Sequence, residues 1–429
     1  MAWNKKQMGF ASVVLLGING VIGGGLFLLP STLYDQGGNL TILAIILAGI
    51  AATLIAMHYA VMSSKIDDDG GAWTYTYQAF GRFPGFLVGW FGWLFGVITI
   101  SAESAAFLKT LSGIVPIVAQ PFIYNTLTIT IMAILIIINL FGTGISSYVD
   151  DVASLIKILV IATVFIAVAT WLALGQADNI TMTHTPQVTN FSGAFGNAFY
   201  MFTGFSLIPI AAKEMKNPGK MLPRAILTVM LVTTAIFVLM QLVAVTVLGT
   251  SLVHSSLPVA DIIDTIMGRL GRTVIITGMT LSIIGVAIAN SFNSPIELAS
   301  MASEHGFLPA KLAITNKFGA PVLAILVTMT IAGGLLLSGS YLFLIKLIVL
   351  SDFMQYLGTI FSSLKLRHDD SLPKGYQLPG GKWLTYLTLI VVAYLFTTFS
   401  LMTVLVGIGF GILGAGVYYW NLKQQPHNY

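Results

Sequence analysis

Three consecutive glycines, Gly23, Gly24 and Gly25, stand inside an apolar run that extends from about Met8 to Leu33. Each glycine in a helix interior costs about 1 kcal/mol relative to alanine. In hydrocarbon a freed backbone amide has no water to bond, so broken helix is tolerated only where it lines a cavity. The chemistry such a run offers is binding: exposed N–H groups facing a polar ligand. Close packing of helices through small residues is the other reading of the same run. A second interruption lies near the middle of the chain, where Phe202-Thr203-Gly204-Phe205-Ser206-Leu207-Ile208-Pro209 places glycine and proline inside another apolar segment.

Ionisable residues at membrane depth are costly and mark function by default. Six fall there: Glu103, Glu297, Asp352, Lys109, Lys157 and Lys346. Glu103 could contact a substrate side chain, accept a proton, pair with a lysine elsewhere or serve as a buried, hydrogen-bonded structural carboxylate. Lys109 is six residues further on and off its helix face; it is expected to reach the outer interface. The six histidines show no metal-ligand spacing. Asn290, Ser291, Asn293 and Ser294 either line a polar site or hydrogen-bond between helices.

The elements that must hold these groups are membrane spans. The 429 residues are 56% hydrophobic and 8% charged, with a mean hydropathy of +0.89, whereas soluble domains carry about 25% charged residues. At about 20 residues per span, twelve apolar segments are counted: 9–34, 40–64, 83–112, 121–141, 152–174, 192–212, 223–249, 273–302, 321–337, 340–364, 383–398 and 401–421. Of the 20 Lys and Arg, only Arg269 and Arg272 then fall in outer loops. Those outside the membrane otherwise flank the inner side, which puts both termini in the cytoplasm. The connections near 65–82, 175–191 and 250–272 are read as loops, and the whole of 1–429 as one membrane domain. The +4 formal charge is spread through loops and implies no nucleic-acid partner. The absence of cysteine excludes thiol chemistry.

Interruptions in segments one and six, five helices apart, are the pattern of an inverted-repeat transporter. Half-helix N-termini there point positive dipole ends at an anionic group, and freed carbonyls at the opposite ends take a cation. A zwitterion fits that arrangement. No H-E-x-x-H, no paired aspartates within spans and no nucleophile beside a base speak for an enzyme. A channel would need a continuous polar pore, and the sequence has paired helix breaks in its place.

Several stretches resemble the amino acid permeases of the amino acid–polyamine–organocation superfamily. Ile22-Gly23-Gly24-Gly25-Leu26-Phe27 is similar to the family's I-G-[SG]-G-I-F. Gly70-Gly71-Ala72-Trp73-Thr74-Tyr75, with Ala79-Phe80-Gly81, Gly85-Phe86 and Gly89-Trp90, resembles its G-G-x-Y-x-Y, A-F-G and G-F-x-x-G-W run. Glu214, Lys216-Asn217-Pro218 and Pro223-Arg224-Ala225-Ile226 resemble E-x-K-N-P-x-x-x-x-P-R-A-I. Gly306-Phe307-Leu308-Pro309, Gly319-Ala320-Pro321 and Gly375-Tyr376-Gln377-Leu378-Pro379-Gly380-Gly381 continue the match in order. It covers nearly the whole chain, thinning in segments four, seven, eleven and twelve.

The resemblance implies a leucine-transporter-type fold: a five-plus-five inverted repeat (9–174 and 192–364) with two further helices (383–421). It implies alternating-access transport of an amino acid, by proton symport or exchange, in a multi-pass protein of the inner or plasma membrane. An amine or polyamine exchanger or exporter shares the architecture. The implied substrate site comprises the amides of Gly23, Gly24 and Gly25, carbonyls near Ile22 and Phe202, and the neighbouring Thr203 and Gly204. Phe205 closes over the substrate; Glu103 is added as a candidate for the site from its own mid-span place in segment three, not from the resemblance. Lys157 resembles a lysine that, in many relatives, stands where sodium-coupled cousins bind a cation, bridging the first and eighth helices. A lysine snorkelling to the inner surface is the alternative. The partners are a small-molecule substrate, lipid and candidate protons; no cofactor or metal is called for, and oligomeric state is open. The pattern departs at Ser206, where relatives carry glutamate after G-F, at Glu297, where they have arginine, and at Ser303-Glu304-His305-Gly306, which replaces A-R-D-G.

Overall fold

The computed structural model describes residues 9–66, 71–142, 146–175, 187–206, 208, 215, 218–304, 306–338, 340–373 and 375–424. Gly70, Leu207, Pro209, Glu214, Lys216, Asn217 and His305, singled out above, lie outside the described residues. The described chain is almost wholly helical, with an isolated antiparallel β-bridge between Thr315 and Pro321.

The first apolar run is three pieces: α1 (Phe10–Val21), α2 (Gly25–Leu28) and α3 (Pro30–Gly37). There follow α4 (Thr41–Ser63), α5 (Ala72–Phe80), α6 (Arg82–Ser112), α7 (Pro121–Leu140), α8 (Ser146–Ala173) and α9 (Phe191–Tyr200). The second half holds α10 (Pro218–Leu248), α11 (Pro258–Ser303), α12 (Val322–Ser338), α13 (Tyr341–Lys365), α14 (Lys382–Phe396) and α15 (Leu401–Gln424). Eight helical stretches among the described residues are long and apolar enough to cross a bilayer, and α1, α12 and α14 are shorter apolar helices. Together they make a multi-pass membrane protein.

α6 is the central post. It packs on α5, α11, α12 and α13, and most of its length is buried. Its glycines allow the close approach: a Cβ on Gly92 would lie 2.7 Å from the carboxylate of Glu297, and one on Gly89 3.1 Å from Met301. Small residues at helix contacts are what van der Waals packing in a bilayer requires. Trp93 is fully buried and donates its indole N–H to Thr328 Oγ1 at 3.1 Å, tying α6 to α12. His58 of α4 is likewise absorbed structurally, with Nδ1 2.7 Å from Ser363 Oγ of α13 and Nε2 3.3 Å from Thr388 Oγ1 of α14.

Two connections read as loops are partly helical. Residues of α5 fall in the expected inner loop, yet Trp73 and Tyr75 are buried and Ala72–Phe80 forms two turns. The expected outer connection 250–272 contains the first arm of α11, which bends at Gly268 (φ 70°). Val259, Ala260, Ile262 and Ile263 bury one face of that arm, while Asp261 on the other pairs with Arg272 at 3.2 Å. An amphipathic segment of one to three turns is too short to register as a span, so counting apolar length passes over it.

Candidate functional site

α1 ends because Ile22 leaves the helical region (φ −82°, ψ 98°), while its N–H still bonds Ile18 O at 3.0 Å. The helix resumes two residues later, with the N–H groups of Phe27 and Leu28 both on Gly24 O at 3.1 Å. Pro30 takes the first position of α3, where its missing N–H leaves no bond unmade. Between the pieces, the amides of residues 23–26 and the carbonyls of residues 19–23 are released from the i,i+4 ladder. The expected break is at the expected residues.

The second break follows α9. Residues 201–206 form successive turns, with Phe202 N–H on Phe199 O and Thr203 N–H on Tyr200 O, each at 3.0 Å. Gly204 has φ +98°, and a Cβ there would lie 2.4 Å from Gly20 O. The two breaks therefore touch backbone to backbone, which only glycine permits.

A cavity of about 60 Å³ lies between them. Gly23, Gly25, Thr203, Gly204 and Glu103 line it, together with Thr99 of α6 and Asn290 of α11. Glu103, 2% exposed, reaches across from α6. Its Oε1 accepts the Gly24 N–H at 3.3 Å and the Tyr200 hydroxyl at 3.3 Å, while its buried Oε2 has no hydrogen-bond partner among the described residues. A Cβ on Gly23 would lie 3.1 Å from Oε1, and one on Gly24 3.0 Å from Oε2. A carboxylate thus sits against the glycine run, and it belongs to the protein itself.

Ile22, Phe202 and Phe205 are not among the lining residues. Ile22 is buried in the core, and the Phe202 ring meets Phe237 edge-on at 5.0 Å. Phe205 is fully buried, stacked on Tyr356 at 5.5 Å and edge-on to Tyr59 at 5.8 Å. Lys157, 3% exposed, does not snorkel to the surface. Its Nζ donates to Asn19 O at 3.0 Å and Asn19 Oδ1 at 2.9 Å. In an unbroken helix the Asn19 carbonyl would take the N–H of Gly23; here an ammonium meets it, at the negative end of α1.

A family model described as amino acid permease matches residues 8–421. The chain belongs to this family. An uncharacterized transporter of Mycobacterium tuberculosis is 30% identical over 378 residues, covering 82% of this chain and 78% of that protein. The branched-chain amino acid permease BcaP of Bacillus subtilis is 26% identical over 450 aligned residues, covering 99% of this chain and 94% of that protein. The serine/threonine exchanger SteT of Bacillus subtilis is 25% identical over 301 residues, covering 66% and 64%. The resemblance to the amino acid–polyamine–organocation superfamily is thereby established, and the chain is a transporter, not an enzyme.

The permease holds further polar groups that spacing alone did not bring together. Tyr200 and Asn19 were not singled out by sequence, and both touch the ionisable residues of the site. The signal for each was position, within a turn or two of a break. Asp352 is fully buried on α13, where its oxygens accept Gln355 Nε2 and the Tyr356 hydroxyl, each at 2.9 Å. In the permease Glu297 packs on Gly92 and lies near the same Gln355. Lys109 is exposed. Asn139 on α7 donates to Ser291 Oγ at 2.9 Å, so that serine does join helices. Asn290 donates to Val286 O within its own helix and also lines the cavity.

Proposed function

We propose that this permease is a secondary active amino acid transporter working by alternating access in the cell membrane. Our reading has twelve spans with both termini cytoplasmic, a first repeat at 9–174, a second at 192–364, and two added helices at 383–421. The substrate zwitterion binds between the two breaks. Its carboxylate takes the amides of Gly23, Gly24 and Gly25; its ammonium takes carbonyls freed near Ile22 and Phe202; Thr203 and Gly204 shape the wall. Phe205 closes over the substrate when the breaks move, leaving its stack with Tyr356. Lys157 stands in for a coupling cation, holding the end of α1 while the break works. Transport proceeds as proton symport or exchange.

The observation that carries this reading is the cavity between two helix breaks that touch at Gly20 and Gly204. Irregular backbone at membrane depth persists where it lines such a space. The printed names of BcaP and SteT, a branched-chain amino acid permease and a serine/threonine exchanger, support an amino acid as cargo. One observation favours a second reading, an amine or polyamine exchanger or exporter: Glu103 already puts a carboxylate on the Gly24 amide and keeps a buried oxygen for an ammonium.

Thermal denaturation of the purified protein in detergent separates the two. A ligand that binds only the folded state raises the melting temperature by mass action, with about 2.7 kcal/mol gained at a hundred times Kd. A shift with one or more of the common amino acids, lost with their decarboxylated amines, is expected. A shift with amines or polyamines alone would replace the first reading by the second.

A further inference from the structure

We infer that Glu103 is a resident occupant of the carboxylate seat: its side chain and the substrate's carboxylate take the Gly24 N–H by turns, and one proton enters with each zwitterion. The inference rests on the transport reading above and specifies its coupling ion. Three observations carry it.

The first is placement. Of the glycine amides assigned to the substrate, Gly24 N–H is already given to Glu103 Oε1, so the substrate cannot use it until Glu103 lets go. The second is looseness. Both bonds to Oε1 measure 3.3 Å, whereas a well-seated charge-assisted bond is about 2.7–2.9 Å. The carboxylate is held by the seat without being locked into it. The third is the orphan oxygen. Oε2 is buried with no hydrogen-bond partner among the described residues, a costly state for an anion. Protonation makes that oxygen a neutral hydroxyl donor.

The exchange balances in charge. A zwitterion arriving from outside brings a carboxylate into a cavity of about 60 Å³ that already contains one. Two anions at such range are not both kept, and a proton drawn from the outer water converts Glu103 to its neutral acid. The neutral acid leaves Gly24 and can donate to the incoming carboxylate. On the inner side the substrate departs, the proton goes to the inner water, and Glu103 returns to the amide. Each cycle moves one zwitterion and one proton, hence one positive charge, inward. The titratable and charged groups facing Glu103 are Tyr200 at the end of α9, Tyr341 of α13 and Lys157 of α8. Lys157 gives two hydrogen bonds to Asn19. The Tyr341 hydroxyl, buried beside Tyr200, is placed to take up the displaced side chain.

The test titrates binding to the full-length protein by thermal shift across a series of pH values. The common amino acids serve as probes, each beside its decarboxylated amine. Where one proton is bound with the ligand, affinity falls by up to about tenfold for each unit of rising pH. That dependence is expected for the wild type and is expected to flatten in Glu103→Gln, whose carboxamide imitates the neutral acid. Because the variant could fail to fold, the wild type is also read alone, in proteoliposomes with a trapped pH dye. Amino acid entry is expected to acidify the lumen and to carry positive charge. Amino acid binding that is flat with pH in the wild type, or entry without acidification, would overturn the inference and leave the transport reading standing. Binding of amines alone would overturn the seat itself. Binding of no amino acid would overturn both.

Discussion

Gly24→Leu is expected to abolish amino acid uptake while leaving the protein folded and monodisperse. Gly24 contributes the N–H that now holds Glu103, and a Cβ at this position would already lie 3.0 Å from Glu103 Oε2 and 3.4 Å from Ala106 Cβ. A leucine adds three further carbons beyond that Cβ, against the Glu103 carboxylate that lines the cavity. The carboxylate seat is then closed to both of its occupants. A hydrogen bond to a charged group contributes roughly 1.5–3 kcal/mol, which alone is about ten- to a hundredfold in affinity. Excluding the ligand by bulk adds to this, so uptake should drop below detection. Leucine is a better helix former than glycine, so the local backbone does not suffer by propensity. The measurement is uptake in proteoliposomes beside the melting temperature. Retained uptake or retained ligand-induced stabilisation would place the substrate elsewhere.

Gly204→Ala is expected to damage both stability and transport, and by a different route. Its φ of +98° is a conformation that side chains disfavour, and the added Cβ would meet Gly20 O at 2.4 Å. The left-handed backbone costs about 1–2 kcal/mol for a residue with a Cβ. Overpacking typically costs about 1–3 kcal/mol more, and here the obstacle is backbone on the opposite break, not a side chain that can rotate away. A destabilisation of about 2–5 kcal/mol follows, read as a lowered melting temperature with reduced uptake. Gly249→Ala is the control: Gly249 also has positive φ (+55°), but a Cβ there meets nothing within 4 Å. If the two variants behave alike, the contact between the breaks contributes nothing, and the damage is backbone strain alone.

Much of the candidate site was legible in the sequence because the bilayer makes exceptions conspicuous. Glycines in an apolar run and an acid or a lysine between apolar neighbours carry their cost in the open. Gly23–Gly25, Gly204, Glu103 and Lys157 were found that way, and the first three meet at one cavity. What the sequence did not show is who satisfies whom. Glu103 lies 79 residues from Gly24, and Lys157 lies 138 from Asn19. No periodicity links positions on different helices. For that reason the amide run was read as vacant for a substrate, when one of its donors is already committed to the chain's own carboxylate. Phe205 shows the complementary limit. Its place beside Gly204 in the sequence marked it as a residue at the break, but the direction of its ring depends on Tyr59 and Tyr356, supplied by α4 and α13. Short amphipathic pieces such as α5 and the first arm of α11 were missed because hydropathy over about 20 residues averages them away.

Counterflow in proteoliposomes tests the central claim most directly. Vesicles loaded with unlabelled amino acid are diluted into a trace of the same amino acid, labelled, with no other gradient imposed. An alternating-access carrier returns its site loaded from outside as it empties from within, so transient accumulation of label above its equilibrium level is expected, saturating with substrate and absent in Gly24→Leu. Label that only equilibrates, without overshoot or saturation, would contradict a carrier built on the two helix breaks.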